Sequence, residues 1–190
     1  GEFAAYAGPN GAGKSTTFKL LGRMLRPQAG SVRLFGMDPG ERRIDVMQRT
    51  GILFGNRSEL WWDHPVRASF EWKKAVWDID ETVYRRLCGE LCELLDIGEF
   101  MDSFARELSL GQRMRANLAL TLLHEPELVL LDEPTRNLSP LSGPVVRELF
   151  ADYPGCIIAI SHDRLFARAV FDRAVELTPS GLHDSTLFDI

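Results

Sequence analysis

The chain has 190 residues, 45% of them hydrophobic and 26% charged, with a formal net charge of −5. That length and apolar fraction suit one well-buried core, and the ordinary charged fraction excludes disordered and collagen-like classes. The acidic balance, with no more than two Lys/Arg in a row, argues against nucleic acid as a partner, because such binding rests on neutralising phosphates.

Gly1-Glu2-Phe3 opens without an initiator Met and runs into a strand ending at Ala7. This start implies that an upstream segment is missing. The strand enters the Gly-rich run 8–13, and a helix is expected from Lys14 to about Leu25, before Pro27 and Gly30 break the chain. Residues 31–35 read as a short alternating strand, 41–49 as a polar helix and 51–54 as a second strand. From 64 to 125 the periodicity turns helical. Val83, Leu87, Leu91, Leu94 and Leu95 follow an Asp80 cap, and Met114, Leu118 and Leu122 form a second stripe in a helix starting at Ser109. Residues 128–131 and 157–160 are continuous apolar runs, as in strands covered on both faces. Residues 174–178 with Pro179-Ser180-Gly181 read as a closing hairpin.

This order predicts an α/β fold with a largely parallel sheet. The expected organisation is a single domain over 1–190, with a core of 1–63 and 126–190 and a helical subdomain of 64–125. No apolar run approaches the roughly 18 residues of a membrane span and no signal peptide is recognisable, so a membrane role would run through a partner. Cys88, Cys92 and Cys156 lack paired-ligand spacing. They are expected to be small buried hydrophobes in a reducing compartment, with a metal pair at Cys88 and Cys92 the lesser alternative.

Gly8-Pro9-Asn10-Gly11-Ala12-Gly13-Lys14-Ser15 fits G-x-x-x-x-G-K-[ST] between a strand and a helix. Glycines let successive backbone N–H groups point inward, making an anion site at a helix N-terminus. Lys14 would reach the β- and γ-phosphates of a nucleotide, Ser15 would ligate Mg²⁺, and Thr16 would meet the α-phosphate. An apolar strand then ends in Asp132 and Glu133, at the carboxyl edge where α/β sheets bind ligands. Asp132 would hold Mg²⁺ through water and Glu133 would take a proton from the attacking water.

Leu108-Ser109-Leu110-Gly111-Gln112 lies ahead of that strand, and Ser161-His162-Asp163 follows the 157–160 run. With the phosphate loop and the Asp-Glu strand, these four motifs resemble the ATP-binding cassette (ABC) ATPases in order and spacing, over essentially the whole chain. The resemblance implies a phosphate-loop NTPase fold, with its antiparallel β edge partly missing at the N-terminus, and ATP hydrolysis with Mg²⁺. It also implies a head-to-tail dimer, of identical subunits in the simplest case, coupled to a membrane permease on the inner face of the cell membrane. His162 would sense the γ-phosphate. Ser109, Leu110, Gly111 and Gln112 would act on nucleotide held by the partner. Ser109 and Gln112 also fit a plain capping box, which leaves unexplained why Gly111 stands near a helix start.

Two positions depart from the family. The run 55–63 resembles the Phe-Gly-Gln…Leu-Trp-Trp-Asp loop of bacterial exporters, but Asn56 replaces the metal-facing Gln and is shorter by one bond, ~1.5 Å. Trp61 and Trp62 there would line a permease groove or pack in a core. Ser139 stands where the family's D-loop has Asp, at the subunit junction. The family's adenine-stacking aromatic would precede Gly1, and Tyr6 is too near the loop to serve. Three other readings stay open: a soluble ABC ATPase outside transport, a weakly hydrolysing structural subunit, and a phosphate-loop kinase or GTPase outside the family, against which the 108–112 motif argues.

Overall fold

The computed structural model describes residues 2–9, 11–55, 57–135, 138, 142–151 and 153–185. The chain forms two compact units. One comprises Gly1–Ile52, Pro126–Glu133 and Tyr153–Ile190, the other Leu53–Glu125 and Pro134–Asp152.

Strands β1 (Phe3–Ala7), β2 (Thr50–Phe54), β3 (Leu128–Asp132), β4 (Cys156–Ile160), β5 (Arg173–Thr178) and β6 (Gly181–Ser185) form one sheet in the order β2-β3-β4-β1-β5-β6. The β3–β4, β4–β1 and β1–β5 pairs are parallel, and β6 closes the edge as an antiparallel hairpin with β5. Val129, Leu130, Leu131 and Ile157 are fully buried, which is why β3 and β4 read as unbroken apolar runs. Helix α1 (Lys14–Leu21) follows β1, α2 (Arg43–Met47) precedes β2, and α7 (Arg164–Val170) follows β4. Tyr6 of β1 stacks on Phe18 of α1 at 6.1 Å and bonds Thr17 through its hydroxyl, so the ring fastens α1 to the sheet.

The second unit holds α3 (Val66–Val76), α4 (Glu81–Leu94), α5 (Leu110–Leu122) and α6 (Ser142–Ala151). Asp80 caps α4 as expected, accepting from Thr82 N and Val83 N. Helix α5 is buried almost all round from Ala116 to Leu122 and lies against α3 and α4. Its two buried polar residues are both satisfied. Thr121 donates to the Asn117 carbonyl, and the Asn117 carboxamide accepts from Glu59 N at 2.9 Å and donates to the Arg113 carbonyl at 2.8 Å.

Three expectations fail. Residues 31–35 are not a strand. Leu34 and Met37 make a single antiparallel bridge around Phe35 (φ 54°) and Gly36 (φ 75°), so the chain turns back after one residue pair. Helix α1 stops at Leu21 because Gly22 caps it and Arg23 turns left-handed (φ 54°). The cysteines are all half-exposed: α4 buries only Leu87 and Leu91 on its inner face and leaves Cys88 and Cys92 on its flank, and Cys156 stands at the first position of β4.

Candidate functional site

β1 sits inside the sheet between β4 and β5, and its carboxyl end delivers the Gly-rich loop. Gly8, Gly11 and Gly13 have φ of 141°, 84° and 102°. At Gly8 the requirement is also steric, because a Cβ there would lie 2.8 Å from the Leu177 carbonyl oxygen. Ala12 N donates to Pro9 O, closing the turn, and Gly13 begins α1 without a side-chain cap. The amides of Lys14, Ser15 and Thr16 therefore have no intrahelical acceptor, as at any helix start, and among the described residues no side chain caps that end. Lys14 is 9% exposed, and its Nζ donates to Gly8 O at 2.7 Å and Pro9 O at 3.1 Å. An ammonium so buried, held by two backbone carbonyls, suits an anion in the loop. Ser15 is half-buried and Thr16 exposed. Asn10 lies outside the described residues.

β3 and β4 end side by side, with Asp132 in register with Ile160. Glu133 then donates its N–H to Ile160 O at 2.8 Å and adopts φ 55°, a left-handed backbone unusual outside glycine. Its Oε1 lies 3.5 Å from His162 Nε2, with the Glu133 side chain 21% exposed and His162 67%. Ser161 and Asp163 brace His162 from either side. Ser161 Oγ accepts from Asp163 N, and Asp163 caps α7 through Leu165 N and Phe166 N. Lys14 and His162 line one cavity of ≈ 390 Å³ with Gly8, Pro9, Glu176 and Ser185. Sequence reasoning missed Glu176 and Ser185. Glu176 arrives there because β5 pairs with β1 so that it faces Ala7, a register that no local pattern announces.

Among the described residues no three or more His, Cys, Asp or Glu cluster as a metal site. Ser15 and Asp132 offer hard oxygen donors, which suit Mg²⁺ completed by water and phosphate oxygens rather than a metal held by protein alone.

In the second unit, Ser109 N-caps α5 in a full capping box. Its Oγ accepts from Gln112 N at 3.2 Å, and Gln112 Oε1 accepts from Ser109 N at 2.9 Å. The Ser109 hydroxyl proton is not used in that pair and is available to an outside acceptor. Leu110 is 59% exposed at the tip, while Gly111 stands in the first turn. Asn56 and Ser139 lie outside the described residues. Trp61 and Trp62 are not core residues: both are exposed, Trp61 tilted against Trp72 at 5.7 Å and Trp62 under the Arg113 guanidinium at 4.6 Å. Arg113 also donates to the Leu108 carbonyl, so the Trp62 ring sits beside the start of α5.

The family model described as ABC transporter matches residues 1–136. A protein of Archaeoglobus fulgidus assigned as an ABC transporter ATP-binding protein is 26% identical over 178 residues, 93% of this chain and 75% of that protein. The ABC transporter ATP-binding protein NatA of Bacillus subtilis is 27% identical over 148 residues, 78% of this chain and 60% of NatA. Among solved structures, a dimeric ATP-binding cassette in a post-hydrolysis state, bound to ADP and Pi, matches with a TM-score of 0.80 at 22% identity. That match covers 98% of this chain and 85% of the other, and it establishes the shared fold.

Proposed function

The chain belongs to the ABC transporter family, and on that premise we propose that it is a Mg²⁺-dependent ATPase, the motor of a transporter, working as a head-to-tail dimer. The observation that carries this reading is the cavity shared by Lys14 and His162, with Glu133 3.5 Å from His162. In this reading the amides at the start of α1 hold the phosphates, and the Lys14 ammonium leaves the Gly8 and Pro9 carbonyls for the β- and γ-phosphate oxygens. Ser15 and Asp132 would hold Mg²⁺, which when bound spreads charge from the β- and γ-phosphates. The Glu133 carboxylate accepts the proton of the attacking water, and His162, 3.5 Å away, orients that carboxylate and meets the γ-phosphate. The two units then serve as parts of one nucleotide-binding domain.

Ser109, Leu110, Gly111 and Gln112 act in trans. The uncapped proton of Ser109 and the α5 N-terminus meet the γ-phosphate of a second copy, and Gly111 permits the close approach. The exposed Trp61 and Trp62 face a membrane permease. Among the described residues no helix is long and apolar enough to cross a membrane, which suits a cytoplasmic subunit held at the membrane by that permease. Asn56 and Ser139 make the motor slow or loosely coupled.

Calorimetry with Mg-ATP tests the nucleotide site. Lys14→Ala should lower affinity more than tenfold, since it removes the buried cation lining the loop. Equal affinity for both proteins would refute the assignment.

A further inference from the structure

We propose that Cys88 and Cys92 form a two-thiolate site for a thiophilic divalent cation of the zinc class, which staples α4 across Gly89. The proposal is independent of the nucleotide chemistry. The two side chains stand one turn apart on the same face of α4, both half-exposed, with their sulfurs 4.0 Å apart. Two metal–sulfur bonds of about 2.3 Å meeting at a tetrahedral angle span about 3.8 Å between sulfurs. The pair is therefore already within a few tenths of an ångström of the bridging distance.

The same geometry argues against the other fate of two neighbouring thiols. A disulfide needs Cβ atoms about 3.5–4.5 Å apart, whereas residues four apart on a helix hold them about 5–6 Å apart. Oxidation would have to break the turn, while a bridging cation leaves it intact. The turn is also the weak point of α4. Gly89 lies between the two cysteines with open space where a Cβ would be, and an interior glycine costs a helix about 1 kcal/mol relative to alanine.

On binding, both S–H protons pass to solvent, two metal–sulfur bonds form, and no electron moves. Among the described residues no third His, Cys, Asp or Glu completes a cluster, so water takes the remaining positions and the ion is exchangeable rather than structural.

The test uses the reduced full chain carrying Cys156→Ser, so that only this pair of thiols remains, with Zn²⁺ alone titrated against a chromogenic chelator. One ion per chain is expected, with at least about tenfold weaker binding after either Cys88→Ser or Cys92→Ser. Hydrogen exchange of the amides at 90–93 should slow when Zn²⁺ is added. A control moves the second thiol one position, Cys92→Ser with Glu93→Cys, which keeps two cysteines but leaves them about 140° apart round the helix. Its affinity should match the single-thiol variants. Binding by this control as tight as the parent would overturn the proposal. Saturation at one ion per two chains, or exchange at 90–93 unchanged by bound Zn²⁺, would do the same.

Discussion

Glu133 is where stability and turnover should pull in opposite directions. Its backbone is left-handed at φ 55°, which costs a residue with a Cβ about 1–2 kcal/mol. Glycine adopts that conformation freely, but it adds about 0.4–1 kcal/mol of chain entropy to the unfolded state. The His162 contact, at 3.5 Å and with the histidine 67% exposed, contributes little. Glu133→Gly should therefore stabilise the protein by up to about 1 kcal/mol, a rise in Tm of about 2–4 °C for a chain of this size. Glu133→Gln keeps the backbone, the size and a hydrogen-bonding head, so its Tm should equal the parent's. Both variants lose the proposed base, so turnover of ATP should fall by roughly 10²–10⁴. Scanning calorimetry and a phosphate-release assay on the same samples read both quantities. Turnover retained by Glu133→Gln would refute the role of the carboxylate. A Glu133→Gly protein less stable than Glu133→Gln would refute the strain argument while leaving the chemistry untouched.

If each site is completed in trans, mixing inactive Lys14→Ala with inactive Gly111→Asp should restore some ATPase activity, because one composite site has both halves intact. Confirmed heterodimers without activity, together with a wild-type rate independent of protein concentration, would exclude the arrangement. Asn117→Ala strands Glu59 N and takes a partner from Ser58 Oγ and should cost about 1–3 kcal/mol in chemical denaturation. An unchanged midpoint would mean those groups find other partners. The bonds from Thr82 N, then Val83 N, hold the Asp80 carboxyl below its ordinary 3.8, so its stabilisation is present above that value and is lost as pH falls through the lower folded one. The Tm advantage of wild type over Asp80→Ala should accordingly be flat near neutrality and close in acid, and an advantage independent of pH would show that the cap's charge is irrelevant.

The fold was legible wherever one local pattern decided the outcome. The apolar runs of β3 and β4, the Asp80 cap and the capping box at Ser109 all declare themselves within a few residues, and the structure has each of them. The errors came where two signals competed. Residues 31–35 alternate like a strand, yet Phe35 and Gly36 both take positive φ, and a two-residue turn closes the segment before any ladder can grow. Leu25 continues the apolar spacing of α1, but Gly22 and a left-handed Arg23 end the helix first. Periodicity reports which residues prefer burial. It does not report where the backbone reverses.

The candidate site divides along the same line. Lys14, Asp132 and His162 were legible because each stands at the carboxyl end of a strand or in the segment that leaves it, and a parallel sheet carries all such strand ends to one edge. Glu176 was not, because its place in the cavity depends on β5 pairing with β1 rather than on anything near it in the chain. Asn117 shows the converse. It interrupts an apolar stretch of α5 and would pass for a blemish, but its carboxamide holds Ser58 and Glu59, residues that follow the Asn56 position in the chain. A buried carboxamide with all its bonds made is costly to move. The loop after Asn56 is therefore fastened to the same helix that presents Ser109, so whatever displaces that loop must either carry α5 with it or break those bonds. This makes the Asn117 variant informative beyond its stability. If the loop and the Ser109–Gln112 segment work as one piece, Asn117→Ala should lower turnover further than its loss of folded protein explains, with Mg-ATP affinity at Lys14 unchanged.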